Sequence, residues 1–227
     1  MRVWIMSALL AGAMGAALAS PTQAAALPPG FVRLADVAPM IAQDVRYAGS
    51  DNFTGRPVSG YEAADCWARR ETADALLKAA GEAAAGGFRL VVYDCYRPQR
   101  ATDAFVRWAE DPADQIAKAK YFPSIDKRQL FQKGYIGRRS AHSAGVAVDL
   151  ALQKPDGSAV DFGSTFDLFD PRSATASPQV RAEARANRML LKTIMERHGF
   201  ANYPREWWHY SLRNVVDATI HDAPIVR

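Results

Sequence analysis

The sequence predicts a single α+β domain with a mostly antiparallel central sheet flanked by helices. Helical and extended segments are mixed from residue 27 onward without the regular strand–helix–strand spacing of a parallel sheet, and no internal repeat is visible. The 227 residues suit one domain with a full core. With 49% hydrophobic and 23% charged residues the composition is globular, which excludes a collagen-like or largely disordered chain.

The elements follow in order. Residues 1–26 carry one charge, Arg2, then an apolar run from Val3 to Ala19 and small residues at Ala17-Leu18-Ala19 and Ala24-Ala25-Ala26. A basic start, roughly 15 apolar residues and an Ala-x-Ala exit describe a signal peptide cut near residues 24–26. The run is shorter than the ~20 residues of a membrane span. The mature chain, 27–227, is therefore expected in the periplasm without stable membrane association. In that oxidising compartment Cys66 and Cys95 can pair as a disulfide, with two buried thiols as the alternative.

Residues 61–85, rich in Ala and Leu with Trp67, Leu76 and Leu77 among charges, read as a long amphipathic helix leaving through Gly86-Gly87. Residues 88–93 form a short buried strand, and Arg97-Pro98 turns the chain into a helix over 99–110. Short helical pieces and turns occupy 111–139. Residues 146–152 read as a strand closed by the turn Lys154-Pro155-Asp156-Gly157. Ser177-Pro178 opens a helix, serine as N-cap and proline in the first turn, that runs to His198-Gly199. Residues 206–210 read as a late strand.

The charge balance, 28 Lys+Arg against 24 Asp+Glu, is intermixed along the chain and calls for no nucleic-acid partner. Chemistry is sought among the rare ligand types. Of four histidines, His142 stands in Ser140-Ala141-His142-Ser143-Ala144-Gly145-Val146-Ala147-Val148-Asp149, and His209 in Glu206-Trp207-Trp208-His209. Catalytic zinc takes three protein ligands and keeps one position open, and His142, Asp149 and His209 can supply that set. Gly145 lets the backbone bend between the first two. An aspartate inside an apolar strand is costly to bury without a partner, which a cation would provide.

Glu206 is placed as a general base beside the ligand His209. Because residues three apart in a strand face opposite ways, Glu206 must then stand on an irregular strand entry after Pro204. Arg97 could stabilise an oxyanion. From residue types and spacing alone a second reading stays open, in which the histidines are packed core residues and Arg97 caps a turn or pairs with Asp94. His198, at a helix end, suits the dipole there, and His221 sits in a polar tail without a role.

Ser-x-His-x-x-Gly-x-Ala-x-Asp followed about 60 residues later by Glu-x-Trp-His resembles the zinc D,D-peptidases, a group whose fold is shared with the Hedgehog signalling domain. Six segments in order resemble its dipeptidase branch: Asp44-Val45-Arg46-Tyr47, Asp51-Asn52-Phe53-Thr54-Gly55, Tyr96-Arg97-Pro98, Lys133-Gly134-Tyr135, Gly163-Ser164-Thr165-Phe166-Asp167 and Glu206-Trp207-Trp208-His209-Tyr210. The resemblance implies one zinc ion (Zn2+) per chain on His142, Asp149 and His209, with Glu206 as base and Arg97 as stabiliser of the tetrahedral intermediate. It implies a small D,D-dipeptide as substrate. Ser140 would meet its carboxylate, and Tyr47 and Asp167 would lie near its amino group. A D,D-carboxypeptidase acting on longer peptides, or a non-catalytic Hedgehog-like zinc module, are the rival expectations. Members tied to glycopeptide resistance act on cytoplasmic D-Ala-D-Ala; an exported chain cannot reach that pool, so dipeptide scavenging or wall turnover is expected instead.

Overall fold

A computed structural model describes residues 26–227, so the expected signal peptide, 1–26, lies outside the described residues but for Ala26. The elements are β1 (Phe31–Arg33), α1 (Leu34–Val37), β2 (Ala42–Gln43), β3 (Trp67–Arg69), α2 (Arg70–Ala85), β4 (Arg89–Asp94), α3 (Gln99–Glu110), α4 (Lys118–Tyr121), β5 (Ala147–Gln153), α5 (Ala182–Arg197), β6 (Phe200–Asn202) and β7 (His209–Leu212). Five strands form the central sheet in the order β2-β4-β5-β7-β6, while β1 and β3 pair separately. Among the described strands only the β2–β4 pair is parallel, so the fold is the α+β, mostly antiparallel one expected. Among the described residues no helix is long and apolar enough to cross a membrane.

Helix α2 buries Thr72, Ala73, Leu76, Ala79, Ala80 and Ala83, the spacing of one apolar stripe. It packs against β4 and α5. Its exit is a Schellman motif: the Phe88 N–H donates to the Ala83 carbonyl at 2.9 Å and the Gly87 N–H to that of Ala84 at 3.0 Å, with Gly87 at φ +79°. The helix starts at Arg70, not at residue 61. Residues 67–69 are instead drawn into the pairing with β1, Cys66 is bonded to Cys95, and Tyr61 bridges Ile225 near the C-terminus. Extended pairing there buries Trp67 completely.

Helix α3 has the bounds expected from sequence. Helix α5 begins at Ala182 rather than at Ser177, whose hydroxyl accepts from the Gln179 N–H in a turn (3.4 Å). That turn is anchored because Val180 packs on the bare backbone of Gly163, where an added Cβ would come within 2.7 Å. The last strand begins at His209, leaving Glu206 on the turn before it.

Strand β5 is the pivot. All its residues but the last are buried, as befits a strand with neighbours on both sides and layers on both faces. Its register pairs Asp149 with Asp94 of β4 and with His209 of β7, so three ionisable side chains fall abreast on adjacent strands. A register shift between Val92 and Asp94 re-aims the end of β4 at this point.

Candidate active site

Asp149 and His209 come together through that register, and His142 reaches them from the 3-10 turn Ala141–Ala144 just before β5. Ser140 caps the turn by accepting the His142 N–H (3.2 Å). Gly145 ends it at φ +71°, where a Cβ would lie 2.3 Å from the Phe31 ring. His142 Nδ1 is 2.7 Å from the Cys95 carbonyl oxygen, which can only accept, so Nδ1 donates there and Nε2 is the atom turned toward the other two side chains. That Nε2 lies 3.1 Å from His209 Nδ1 and 3.3 Å from Asp149 Oδ1; His209 Nδ1 to Asp149 Oδ1 is 3.0 Å. One donor atom from each of the three falls within 4.8 Å of the others. Burial favours a neutral His209, against the pull of Asp149. Burial opposes the charge of Asp149, but the two imidazoles outweigh it and hold its carboxyl well below the usual range. Two imidazoles and a carboxylate, with one imidazole already oriented by a backbone carbonyl, form a donor set that fits zinc.

Arg97 stands beside this set. Its Nε and Nη2 bind Asp94 Oδ2 at 2.9 and 2.8 Å, Nη2 lies 3.7 Å from Asp149, and the guanidinium covers the rings of Phe105 and Tyr47. Asp94 is fully buried and also accepts from the Tyr61 hydroxyl (2.6 Å) and the Cys95 N–H (3.0 Å). The Cys66–Cys95 disulfide, Cα atoms 5.4 Å apart, ties this strand end to the residue preceding β3.

Glu206 occupies the irregular entry the sequence required. Its N–H donates to the Tyr203 carbonyl (3.0 Å), and its own carbonyl accepts from the His209 N–H at 3.4 Å. The Asn202 amide bridges both ends of the turn, donating to the Glu206 and His209 carbonyls at 3.0 and 3.1 Å. Burial, then the charges of Asp149 and Asp167, push the Glu206 carboxyl well above its ordinary value, with Arg97 opposing. A carboxyl so placed can take and return a proton.

Glu206, Arg97, Ser140, Tyr47 and Asp167 line one cavity with the three donors, and its volume is about 240 Å³. Asp167 is buried at φ 60°, and accepts from the Tyr47 hydroxyl at 2.8 Å. Its loop is clamped by Arg188 of α5, wholly buried, which donates to the carbonyls of Phe162, Arg172 and Ala174 and to Ser164 Oγ. Ser164 Oγ also accepts from Trp207 Nε1 (3.0 Å), next to Glu206. His198 pairs with Glu82 on the surface, away from the cavity.

Asp94 enters the sequence reading only as a pairing partner of Arg97, and the structure pairs the two; Asn202 and Arg188 escaped that reading. Like Asp149, Asp94 is an acid on an apolar strand, at its end rather than inside it, and that signal could have marked it as part of the site. Asn202 and Arg188 left no such trace. The tail also does more than its polarity suggests: the His221 N–H donates to Ser143 and its carbonyl accepts from Gln99, so it binds the loops carrying His142 and Arg97.

The sequence profile of the D-ala-D-ala dipeptidase family matches residues 28–225. The chain is 42% identical to a D-alanyl-D-alanine dipeptidase of Enterococcus faecium over 82% of this chain and 92% of that one. It is 45% identical to one of Enterococcus faecalis (81% and 91%) and 44% identical to one of Streptomyces coelicolor (82% and 93%). A profile that spans nearly all the described residues, and relatives matched along some nine-tenths of their own lengths, agree with the geometry: the chain belongs to the D-ala-D-ala dipeptidase family.

Proposed function

We propose that the chain is a zinc-dependent D-alanyl-D-alanine dipeptidase with one ion per chain, held by His142 Nε2, His209 Nδ1 and Asp149 Oδ1. The observation that carries this reading is the convergence of those donors beside the Glu206 carboxyl, which no hydrogen bond engages among the described residues, in one small cavity. Zinc, when bound, supplies Lewis acidity and positive charge that favour hydroxide over water near neutral pH.

The chain's own residues do the rest. Glu206 takes a proton from the attacking water as its oxygen bonds to the scissile carbonyl carbon. The Arg97 guanidinium, fixed by Asp94, faces the oxyanion that develops. Glu206 then returns the proton to the leaving nitrogen, the C–N bond breaks, and two D-alanines result. Asp167 and the Tyr47 hydroxyl hold the substrate ammonium, and the Ser140 hydroxyl, which uses only a lone pair on His142, donates to the carboxylate. A cavity of about 240 Å³ falls below the ~300–1,000 Å³ typical of drug-sized ligands, which favours a dipeptide over a longer peptide.

The leader-like N-terminus supports a periplasmic enzyme in dipeptide scavenging or wall turnover. Free D-alanine released from D-Ala-D-Ala by residues 27–227, with and without chelator, tests the activity, with N-acetyl-D-Ala-D-Ala and L-Ala-L-Ala alongside. Chelator-sensitive cleavage of the free D,D-dipeptide alone is expected. Cleavage of the acetylated peptide instead would make the enzyme a carboxypeptidase, and zinc binding without cleavage would leave a binding module.

A further inference from the structure

A dipeptide zwitterion brings one cation and one anion into the site, and the cavity must answer both. Among the residues lining it, Arg97 and Arg139 carry fixed positive charge. Arg97 is already committed: Asp94 occupies its Nε and Nη2, and its face is covered by aromatic rings. Arg139 is exposed and forms no ion pair with an acidic side chain among the described residues. It directly precedes Ser140, whose hydroxyl proton is not used in capping His142.

We infer that Arg139 is a specificity-determining residue that recognises the substrate's C-terminal carboxylate together with Ser140. This rests on the dipeptidase reading and adds to it a charged contact for the substrate's carboxylate, as Asp167 serves its ammonium. The physical ground is charge accounting. Zinc, when bound, offsets Asp149 and Glu206, and Arg97 offsets Asp94, which leaves Asp167 for the substrate ammonium and, among the lining residues, no cation but Arg139 for its carboxylate. A guanidinium offers a planar fork matched to a carboxylate, which an ammonium does not. At an exposed rim the arginine can swing onto the carboxylate after the dipeptide enters.

The test compares D-Ala-D-Ala with its C-terminal amide in wild-type enzyme, Arg139→Gln and Arg139→Lys, measuring kcat, KM and bound zinc. Arg139→Gln is expected to raise KM for the free acid about 10-fold, with kcat within a factor of about 3, unchanged zinc content and an unchanged KM for the amide. Arg139→Lys should recover part of the loss. A mere effect on folding would move both substrates together. Wild-type turnover with the same acid-to-amide ratio in Arg139→Gln would overturn this inference alone. No wild-type turnover of either substrate, with zinc bound, would overturn the dipeptidase reading and this inference with it.

Discussion

Replacing Arg188 by Met tests how the substrate end of the cavity is held. Arg188 is fully buried on α5 and has no acidic partner within ion-pair distance among the described residues; it spends its donors on three carbonyls and Ser164 Oγ at 2.6–3.1 Å. Burial pulls its pKa down to about 10, with Asp161 opposing, so the side chain remains charged at neutral pH. Methionine fills a similar volume but satisfies none of the four acceptors. Each buried acceptor left unpaired costs about 1–3 kcal/mol, while the variant no longer buries a charge, so a net loss of about 3–5 kcal/mol is expected. For a chain of this size that is a fall in Tm of roughly 10 °C. The loop from Phe162 to Ala174 carries Asp167, and Ser164 also holds Trp207 beside Glu206, so KM for the dipeptide should rise as well. Thermal unfolding by circular dichroism and steady-state kinetics at a temperature where the variant stays folded read both effects. A Tm within about 2 °C of wild type would show that the clamp does not hold the loop.

Three other outcomes follow. Cys66→Ser opens a loop of 29 residues, for which loop-closure entropy gives a loss of about 3.6 kcal/mol, measured by denaturant unfolding; a loss under about 1 kcal/mol would refute it. Asp94→Asn keeps the size but removes the charge beneath Arg97, so kcat should drop roughly 100-fold with zinc retained, and a wild-type kcat would refute the positioning role. Burial and the charges of Asp149 and Asp167 raise the Glu206 pKa, and the base must be ionised to act. Activity is therefore lost as pH falls through that raised value, and the acid limb of kcat/KM should lie above the ~4.3 of an ordinary glutamate.

Much of the site is visible in the sequence because it lies in short stretches: His142 and Asp149 flank one glycine, and Glu206 and His209 one turn. Residues three apart face opposite ways on a regular strand, and Glu206 stands on the irregular turn before β7 that this requires. Helix α3 was legible to the residue because its apolar spacing is uninterrupted after Pro98. Elsewhere distant partners decided the outcome. Residues 61–69 suit a helix by composition, yet β1, Cys95 and Ile225 claim them. Arg188 reads as one more surface charge on an amphipathic helix until the loop it binds is folded onto it. The tail looks polar, but Ile225 is fully buried and Asp222 pairs with Arg100. Contacts between segments so far apart leave no periodic mark in either one.

If His142, Asp149 and His209 hold the metal while Glu206 moves the proton, the two tasks belong to separate side chains and a substitution should part them. Zinc content and D-alanine release, measured together on wild type and Glu206→Ala, test it most directly. About one zinc per chain is expected in both proteins, and turnover lowered by about 10²-fold or more in the variant, within the ~10²–10⁴ range of a lost general base. Turnover near that of wild type in zinc-loaded Glu206→Ala would contradict it.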